Sequence, residues 1–259
     1  GYKITETPQR KLTFTINNGS VYPDGQMGEN KYAVCDQYGN LTVTVLQKNQ
    51  EQKGILRLYK HGEQLAGTRS VEEANGMTGL EFVYQDAPVE GASFQIIAAE
   101  NIYTQEVAQD LFLLYQADMK EYLIHKKGDV VTTINTDRYG WAYATNLYIG
   151  KYKIMETIAG DGFVLNQEVK EFEITPQEQT INFDIQSVQY ENERQKLQVE
   201  IQKKDKNSRK PLEGAVFGLY AAEDIYTNIL YDMKNKQWII RDKPEISVIK
   251  GTFIKACVT

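Results

Sequence analysis

Apolar and polar side chains alternate along much of this chain, which is the pattern of β-strands with one buried face. Residues 11–16 alternate strictly, and Asn18-Gly19 then supplies two residues that tolerate positive φ in a tight hairpin turn. The same alternation returns in later segments, at 55–60, 152–156, 181–185 and 196–203. The pattern therefore predicts an all-β fold whose strands are joined by short turns.

Helical periodicity is scarce by comparison. The candidate segment is 104–122, in which Val107, Leu111 and Leu114 would share one face of a helix. A long loop or an extra hairpin would suit the same segment, because it lies between two predicted strands. The sequence leaves these three interpretations open.

One long motif occurs twice. Residues 91–104 contain Gly-Ala-Ser-Phe and then Ala-Ala-Glu-Asn-Ile-Tyr-Thr, and residues 214–227 contain Gly-Ala-Val-Phe and then Ala-Ala-Glu-Asp-Ile-Tyr-Thr. The offset between the two copies is constant at 123 (214 − 91 = 123). Repetition at the length of a domain is typical of arrays, which serve reach and mechanical continuity. The first hypothesis is therefore a stalk or an adhesive surface protein.

A second internal match sets the borders of the repeated units. Asn49 and Asn192 begin similar stretches, and each is followed by a Lys at the same distance (60 − 49 = 11; 203 − 192 = 11). We therefore predict tandem β-sandwich domains in three parts: residues 1–49 as the C-terminal part of one domain, 50–192 as a complete domain, and 193–259 as the N-terminal part of the next. On this interpretation the chain is a segment of a longer protein, and its signal and anchor sequences lie outside it.

The predicted complete domain is longer than its neighbour in one place. Lys60 and Gly91 are 31 residues apart, whereas Lys203 and Gly214 are 11 apart (91 − 60 = 31; 214 − 203 = 11). The additional residues include 72–79, a polar stretch that contains glycine. We expect this insertion to form a surface loop.

Composition excludes several classes of function. The net charge of −6 argues against nucleic acid and against an anionic membrane surface, both of which select basic proteins. No run approaches the ~20 apolar residues that span a bilayer. Cys35 and Cys257 fall in different predicted units, so we expect two buried, unpaired thiols rather than a disulfide or a reactive cysteine.

Three polar residues each end an apolar row on a predicted strand. Lys60 follows Leu56 and Leu58 on one face; Glu156 likewise follows Tyr152 and Ile154, and Asn192 follows Val188 and Tyr190. Burial favours the neutral forms of lysine and glutamic acid, since it removes charge from water. A neutral amine is a nucleophile, and a protonated carboxyl can polarise an amide carbonyl and move protons. If the three side chains meet, the lysine can attack the carboxamide, expel ammonia and leave a Lys-to-Asn isopeptide bond.

The same residues lie within motifs that resemble a known family. The segment 150–163, Gly-Lys-Tyr-Lys-Ile-Met-Glu-Thr-Ile-Ala-Gly-Asp-Gly-Phe, and the segment 212–220, Leu-Glu-Gly-Ala-Val-Phe-Gly-Leu-Tyr, resemble two strand motifs of the collagen-adhesin B-type domain. This domain is also called the SpaA-type prealbumin-like pilin domain of Gram-positive surface proteins. The resemblance implies tandem Ig-like or prealbumin-like β-sandwiches in a secreted protein that is displayed on the bacterial cell wall as a stalk or adhesin.

Carried over by position, the resemblance implies that Lys60 is the amine, Glu156 the catalytic acid and base, and Asn192 the acceptor. Asn49 and Lys203 would be unpaired equivalents in the two incomplete units. The chain departs from the family at Gly160, where the family has Pro, and at Gly62, where it has Asp. The resemblance implies self-crosslinking with a single turnover, no conventional enzyme activity and no cofactor. Its expected partners are neighbouring repeats and a host extracellular protein or glycan.

Other interpretations of these residues were open. Lys60, Glu156 and Asn192 could each face water at a strand end. Asp184 could replace Asn192 as acceptor, but we expect its neighbours Ile181, Phe183 and Ile185 to place it on the opposite face. A carbohydrate-binding module could use exposed aromatic rings, namely Trp141, Tyr143 and Tyr148. His61 and His125 are too few and too separated to predict a metal site.

Overall fold

The computed structural model describes residues 2–4, 14–17, 20–23, 33–35, 38, 41–43, 49–73, 76–104, 122–178 and 183–259. All regular elements within these ranges are β-strands, which confirms the all-β prediction. None of the described segments is a helix long and apolar enough to cross a membrane. Most of the ambiguous segment 104–122, residues 105–121, lies outside the described ranges.

The described parts of residues 1–51 are short strands that pair two by two. They are β1 (Tyr2–Ile4), β2 (Phe14–Asn17), β3 (Ser20–Pro23), β4 (Ala33–Cys35), β5 (Leu41–Val43) and β6 (Asn49–Glu51). The antiparallel pairs are β1 with β6, β2 with β3, and β4 with β5. Asn17 lies opposite Ser20, so β2 and β3 form the hairpin predicted around Asn18-Gly19.

Two sheets built from residues 53–192 pack face to face. Their strands are β7 (Lys53–Glu72), β8 (Thr78–Pro88), β9 (Ser93–Ala98), β12 (Val130–Asn135), β13 (Trp141–Leu147), β14 (Gly150–Ile158), β15 (Val169–Ile174) and β16 (Phe183–Asn192). One sheet has the order β12-β9-β14-β15, and the other has the order β13-β7-β16 with β8 paired to β7. A separate pair consists of β10 (Ile102–Thr104) and β11 (Tyr122–His125).

The predicted alternation gives this sandwich its core. Leu56 and Leu58 of β7 are fully buried against Phe94 and Ile96 of β9, in one cluster that spans both sheets. The first and last strands of the sandwich, β7 and β16, run side by side and parallel, with Lys60 opposite Tyr190 and β16 at the end of its sheet. The sandwich therefore begins and ends on neighbouring strands.

The insertion between Lys60 and Gly91 is not the surface loop that its polarity predicted. β7 continues to Glu72 and β8 returns from Thr78, and the two strands pair from His61–Pro88 to Glu72–Thr78 with a register shift between Leu65 and Gly67. Beyond the paired strands, the Glu73 N–H donates to the Met77 carbonyl at 2.9 Å. The prediction was wrong because one face of the hairpin carries apolar residues that are covered by a distant part of the chain.

The second copy of the duplicated motif forms β17 (Val216–Tyr220), β18 (Ile225–Asp232), β19 (Gln237–Val248) and β20 (Phe253–Val258). β17 pairs with β20 as β9 pairs with β12, and β18 pairs with β19 as β10 pairs with β11. The offset of 123 also holds in the register, since Ser93 opposite Asn135 corresponds to Val216 opposite Val258 (216 − 93 = 123; 258 − 135 = 123). The counterpart of segment 104–122 in this copy, residues 227–245, is a β-hairpin.

Two predictions for residues 193–259 were wrong. The alternating stretch 196–203 is not a strand. It corresponds to β7, which pairs with β13 and β16 in the sandwich. Residues 193–259 contain no strands equivalent to β13 and β16, so this stretch lacks those partners. Cys257 is exposed rather than buried. It corresponds to the buried Ile134 (257 − 134 = 123), but no second sheet covers it among the residues that the structure describes. The side chain of Cys35 lies outside the description.

Candidate functional site

Lys60, Glu156 and Asn192 meet inside the sandwich at one end of its core. Their exposed fractions are 0%, 2% and 2%, so the water-facing alternative for these residues is wrong. Each occupies the inward face of its strand in the parity that the sequence predicted, since Arg57 on β7 and Glu191 on β16 are exposed. Three strands that are distant in sequence thus contribute one buried polar side chain each to the same end of the core.

Lys60 and Glu156 form a buried ion pair. The Lys60 Nζ lies 3.3 Å from Glu156 Oε1, and neither side chain is accessible to solvent. The Nζ group has no partner with ideal hydrogen-bond geometry in the described structure, so its contact with the carboxylate is mainly electrostatic. Burial lowers the pKa of Lys60 below its ordinary value; the Glu156 carboxylate opposes this shift, and the positive charge of Lys170 adds to it. The neutral amine is therefore favoured more than it would be in water.

Asn192 presents its amide nitrogen to the carboxylate. Nδ2 donates hydrogen bonds to both oxygens of Glu156, at 3.0 and 2.8 Å. The amide oxygen, Oδ1, has no hydrogen-bond partner among the described residues. The sequence led us to expect that the carboxyl group would polarise the carbonyl, but the structure places the carboxylate beside the nitrogen, which is the leaving group of the expected reaction.

Asn166 holds the carboxylate from the other side and was missed by sequence reasoning. Its backbone N–H donates to Glu156 Oε2 at 2.7 Å. Its side chain fixes the loop, because Nδ2 donates to the Glu191 carbonyl at 2.9 Å and Oδ1 accepts from the Glu168 N–H at 2.9 Å. No alternation marks this loop, so nothing in the strand pattern pointed to it.

Tyr190 provides the aromatic wall of the site. Its ring centroid is 5.9 Å from Lys60 Nζ, and the Phe94 ring packs 5.0 Å away on the same core. The hydroxyl donates to the Ile154 carbonyl at 2.8 Å, and burial raises the pKa of Tyr190 to about 12. Tyr190 therefore stays neutral and excludes water without supplying a competing base.

The departure from the family at Gly62 has a steric cause. Gly62 lies opposite Asn192 across the parallel strands. A Cβ at this position would come within 2.6 Å of the Asn192 carbonyl and 2.6 Å of a ring carbon of Phe163. Phe163 thus fills the space that a longer residue would need beside the acceptor strand.

Asp184 is not near the lysine. It lies opposite Gly54, six positions along β16 from the residue that faces Lys60, and its Oδ2 accepts a hydrogen bond from the Thr175 N–H at 2.8 Å. The predicted reason for excluding it was wrong, because Ile185 faces solvent and Asp184 shares the parity of Asn192. Distance along the strand, rather than the opposite face, separates Asp184 from the site.

The two predicted unpaired equivalents lie elsewhere. Asn49 begins β6 opposite Ile4, and its side chain lies outside the description. Lys203 is exposed in an irregular segment, where its backbone carbonyl accepts from the Leu212 N–H at 2.9 Å. Lys203 is not part of the buried cluster of Lys60, Glu156 and Asn192.

An open groove of about 910 Å³ runs beside the cluster. Asn192 and Asn166 contribute to its wall together with Lys170, whose Nζ lies 4.7 Å from the Tyr190 ring centroid. The groove brings solvent close to the acceptor end of the site while the lysine itself stays buried. A small product released at Asn192 would have a short path to water.

The fold is a β-sandwich of the prealbumin-like kind, and its core contains a lysine, a glutamate and an asparagine. Residues 83–189 match the family model of the SpaA prealbumin-like fold domain. The resemblance stated from the sequence motifs is thus confirmed for that part of the chain. No curated protein sequence matches the chain.

Several solved structures are similar. The minor pilin from Streptococcus agalactiae is 16% identical, with a TM-score of 0.33, and the alignment covers 59% of this chain and 49% of the pilin. The full-length major pilin SpaD from Corynebacterium diphtheriae is 23% identical, with a TM-score of 0.32 and coverage of 55% and 30%. The Bacillus anthracis TIE protein is 17% identical, with a TM-score of 0.37 and coverage of 92% and 35%. The chain thus matches about half or less of the length of each of these proteins.

Proposed function

We propose that this chain is a structural segment of a Gram-positive cell-surface stalk or pilus, stabilised by an isopeptide bond between Lys60 and Asn192. The observation that supports the proposal is the burial of the lysine and the asparagine, each in contact with the same buried glutamate. A buried ion pair of this kind contributes little stability by itself, since desolvation offsets the attraction. A reaction that consumes both charges and the amide would explain why these three polar groups are buried together.

The reaction starts with the ion pair. Lys60 Nζ passes a proton to the Glu156 carboxylate, which leaves a neutral amine and a carboxylic acid; the lowered pKa of Lys60 favours this step. The amine attacks Cγ of Asn192 and forms the new carbon–nitrogen bond. Glu156 then gives its proton to Nδ2 and takes one from the attacking nitrogen, so that the old carbon–nitrogen bond breaks and ammonia leaves. The products are one amide, one protonated Glu156 and one ammonia, and no second turnover follows.

The position of the bond suits a protein under tension. Force that enters at the start of β7 and leaves after β16 would pass from Lys60 directly to Asn192, so residues 61–191 would carry no load. Such a tie closes a loop of more than a hundred residues, for which the chain-entropy model of a crosslink gives about 5 kcal/mol. Unlike a disulfide, the bond does not depend on an oxidising compartment.

Intact mass is the direct test. One bond lowers the mass of the folded chain by about 17 Da through loss of ammonia. Lys60→Met, Glu156→Ala and Asn192→Ala should each restore the unmodified mass, whereas Lys203→Met should keep the deficit. A wild-type chain of unmodified mass contradicts the proposal.

The wider role follows from the same organisation. We infer that residues 1–49, 50–192 and 193–259 belong to three consecutive repeats, and that this protein is displayed outside the cell and anchored to the cell wall. Its partners on this view are neighbouring repeats and other pilus subunits, together with a host protein or glycan. The family match at 83–189 supports this proposal.

Glycan binding is the second candidate, because one aromatic row faces outward. Trp141 lies between Tyr59 and Tyr143, with ring centroids 4.7 and 6.4 Å apart, and Arg57 stacks on it at 5.1 Å. Flat aromatic faces of this kind stack on sugar rings. Tyr148 is not part of the row, since it packs against the core under Lys53. Loss of glycan binding in Trp141→Ala, with the fold intact, would support this role.

A further inference from the structure

The outer part of the β7–β8 hairpin extends past the other strands of its sheet. β7 pairs with β13 as far as Tyr59 and with β16 as far as Gly62, and after that only with β8. The outer hairpin, residues 63–72 and 78–86, is thus a two-stranded ribbon. A ribbon of this kind is at best marginally stable in water, so it needs a partner surface.

The strands of the second copy provide that surface. Leu80 and Phe82 on one face of β8 pack against a cluster of Ala221, Val248 and Ile254, which are 5%, 3% and 8% exposed. These three are the buried members of the second apolar cluster found in the described structure, and the hairpin completes it. The dependence runs in both directions, because neither element covers its apolar face alone.

The backbones of the two elements also come into direct contact. A Cβ on Gly79 of β8 would lie 2.7 Å from the Ile254 carbonyl of β20, so any side chain at this position would force the strands apart. On the other strand of the hairpin, the Thr227 hydroxyl donates to the Leu65 carbonyl. Gly79 on β8 therefore allows the hairpin to approach β20 closely, and Thr227 on β18 forms a hydrogen bond to the hairpin backbone.

Two arginines reinforce the junction. The Arg194 guanidinium, which follows the last strand of the sandwich, lies 3.9 Å from the Tyr84 ring centroid, and its Nε is 3.3 Å from Glu63 of the outer hairpin. Arg138 of the sandwich forms an ion pair with Asp242 and donates to the Ile240 carbonyl at 3.1 Å. Contacts on both sides of the connecting residues thus restrict movement at the junction.

We propose that the outer hairpin is a brace between consecutive units: an insertion of one unit that completes the apolar core of the next and fixes its orientation. Its partner surface is formed by β18, β19 and β20. The second copy lacks a comparable insertion between Lys203 and Gly214, so the brace belongs to this junction rather than to every unit. The inference is independent of the isopeptide bond.

Hydrogen exchange on the full chain tests the brace. The double substitution Leu80→Ala/Phe82→Ala should raise exchange in residues 221–254 by about tenfold or more, since local opening controls the rate. Exchange in β9 and β14 should not change. The matched control is Glu81→Ala/Val83→Ala, which alters the same strand on its other face and should leave residues 221–254 protected.

Unchanged protection of residues 221–254 in the double variant, or equal loss in the control, would overturn the brace. If the double variant also unfolds the sandwich, Thr227→Val is the second test, because it removes the hydroxyl that bonds to the Leu65 carbonyl. The same hydroxyl lies 3.4 Å from the Ile229 N–H and carbonyl within β18, so exchange in β18 alone does not count. Faster exchange in the facing part of β7 supports the brace, and no change in β7 contradicts it.

Discussion

The two copies of the duplicated segment have the same strand pairing but very different burial. Ile96 of β9 is 0% exposed, whereas its counterpart Leu219 of β17 is 47% exposed (219 − 96 = 123). Both strands pair with the equivalent antiparallel neighbour, β12 or β20. Local sequence therefore sets the pairing, and the facing sheet of β7, β13 and β16 provides the burial.

The comparison extends to the buried polar cluster. Lys60 reaches its partners because β14 and β16 follow it in the chain, and Lys203, at the matching distance from an Asn, lies in an irregular exposed segment. The two lysines at matching positions, Lys60 and Lys203, thus have different environments. A folded sandwich, rather than the local motif, creates the burial that lowers the pKa of the Lys60 amine.

The largest expected effect comes from removing the lysine of the proposed crosslink. Lys60→Met should lower the free energy of unfolding of the first unit by about 5 kcal/mol, and the unpaired Glu156 that remains buried adds to this loss. Lys203→Met is the matched control and should change stability by less than about 0.5 kcal/mol. Guanidinium unfolding followed by Trp141 fluorescence, in a Trp238→Phe background, measures both. Equal unfolding midpoints for Lys60→Met and Lys203→Met would contradict the expectation that only Lys60 stabilises the first unit.

Core truncation tests the difference in burial directly. Ile96→Ala should cost about 2–5 kcal/mol, because it leaves a cavity between two packed sheets. Leu219→Ala should cost less than about 1 kcal/mol, because half of the side chain is already in water. Trp141 reports the first substitution and Trp238 the second, each in the background that lacks the other tryptophan. Similar losses at both positions would mean that the second copy has a covered core.

Thiol labelling tests the same difference one strand away. Cys257 is exposed, so a thiol reagent should modify it in the native chain without a lag. Ile134→Cys creates a thiol at the corresponding buried position, which should react only when the first unit opens. Peptide mapping separates the two sites from Cys35. Rapid labelling at position 134 would contradict the burial of β12.

Much of the fold could be predicted from the sequence. Alternation identified β7, β14 and β16 and the faces of Lys60, Glu156 and Asn192, because burial on one face imposes a period of two on a strand. The hairpin insertion could not be predicted, since the surface that covers Leu80 and Phe82 comes from residues far along the chain. The strand expected at 196–203 failed for the same kind of reason, because strand formation depends on partners as well as on pattern.

The site shows the same limit. Parity placed the three polar side chains inside, but it could not show which end of the Asn192 amide meets the carboxylate, since that depends on hydrogen bonds across the sheets. The Asn166 loop was missed because it has no periodicity and acts through its backbone. Residues that hold a reactive group in place thus lie outside what strand patterns reveal.

Asn166→Ala should have the smallest effect, on the rate of crosslinking rather than its extent. The change removes the two side-chain hydrogen bonds that hold the loop but keeps the N–H that binds Glu156. A loss of about 1 kcal/mol in the positioning of the carboxylate corresponds to about fivefold slower bond formation. Cell-free synthesis quenched at intervals, followed by intact mass, gives the rate, and Asn101→Ala in a distant loop is the control. Full extent with a slowed rate indicates a positioning role, whereas an unchanged rate would show that the loop does not need its side chain.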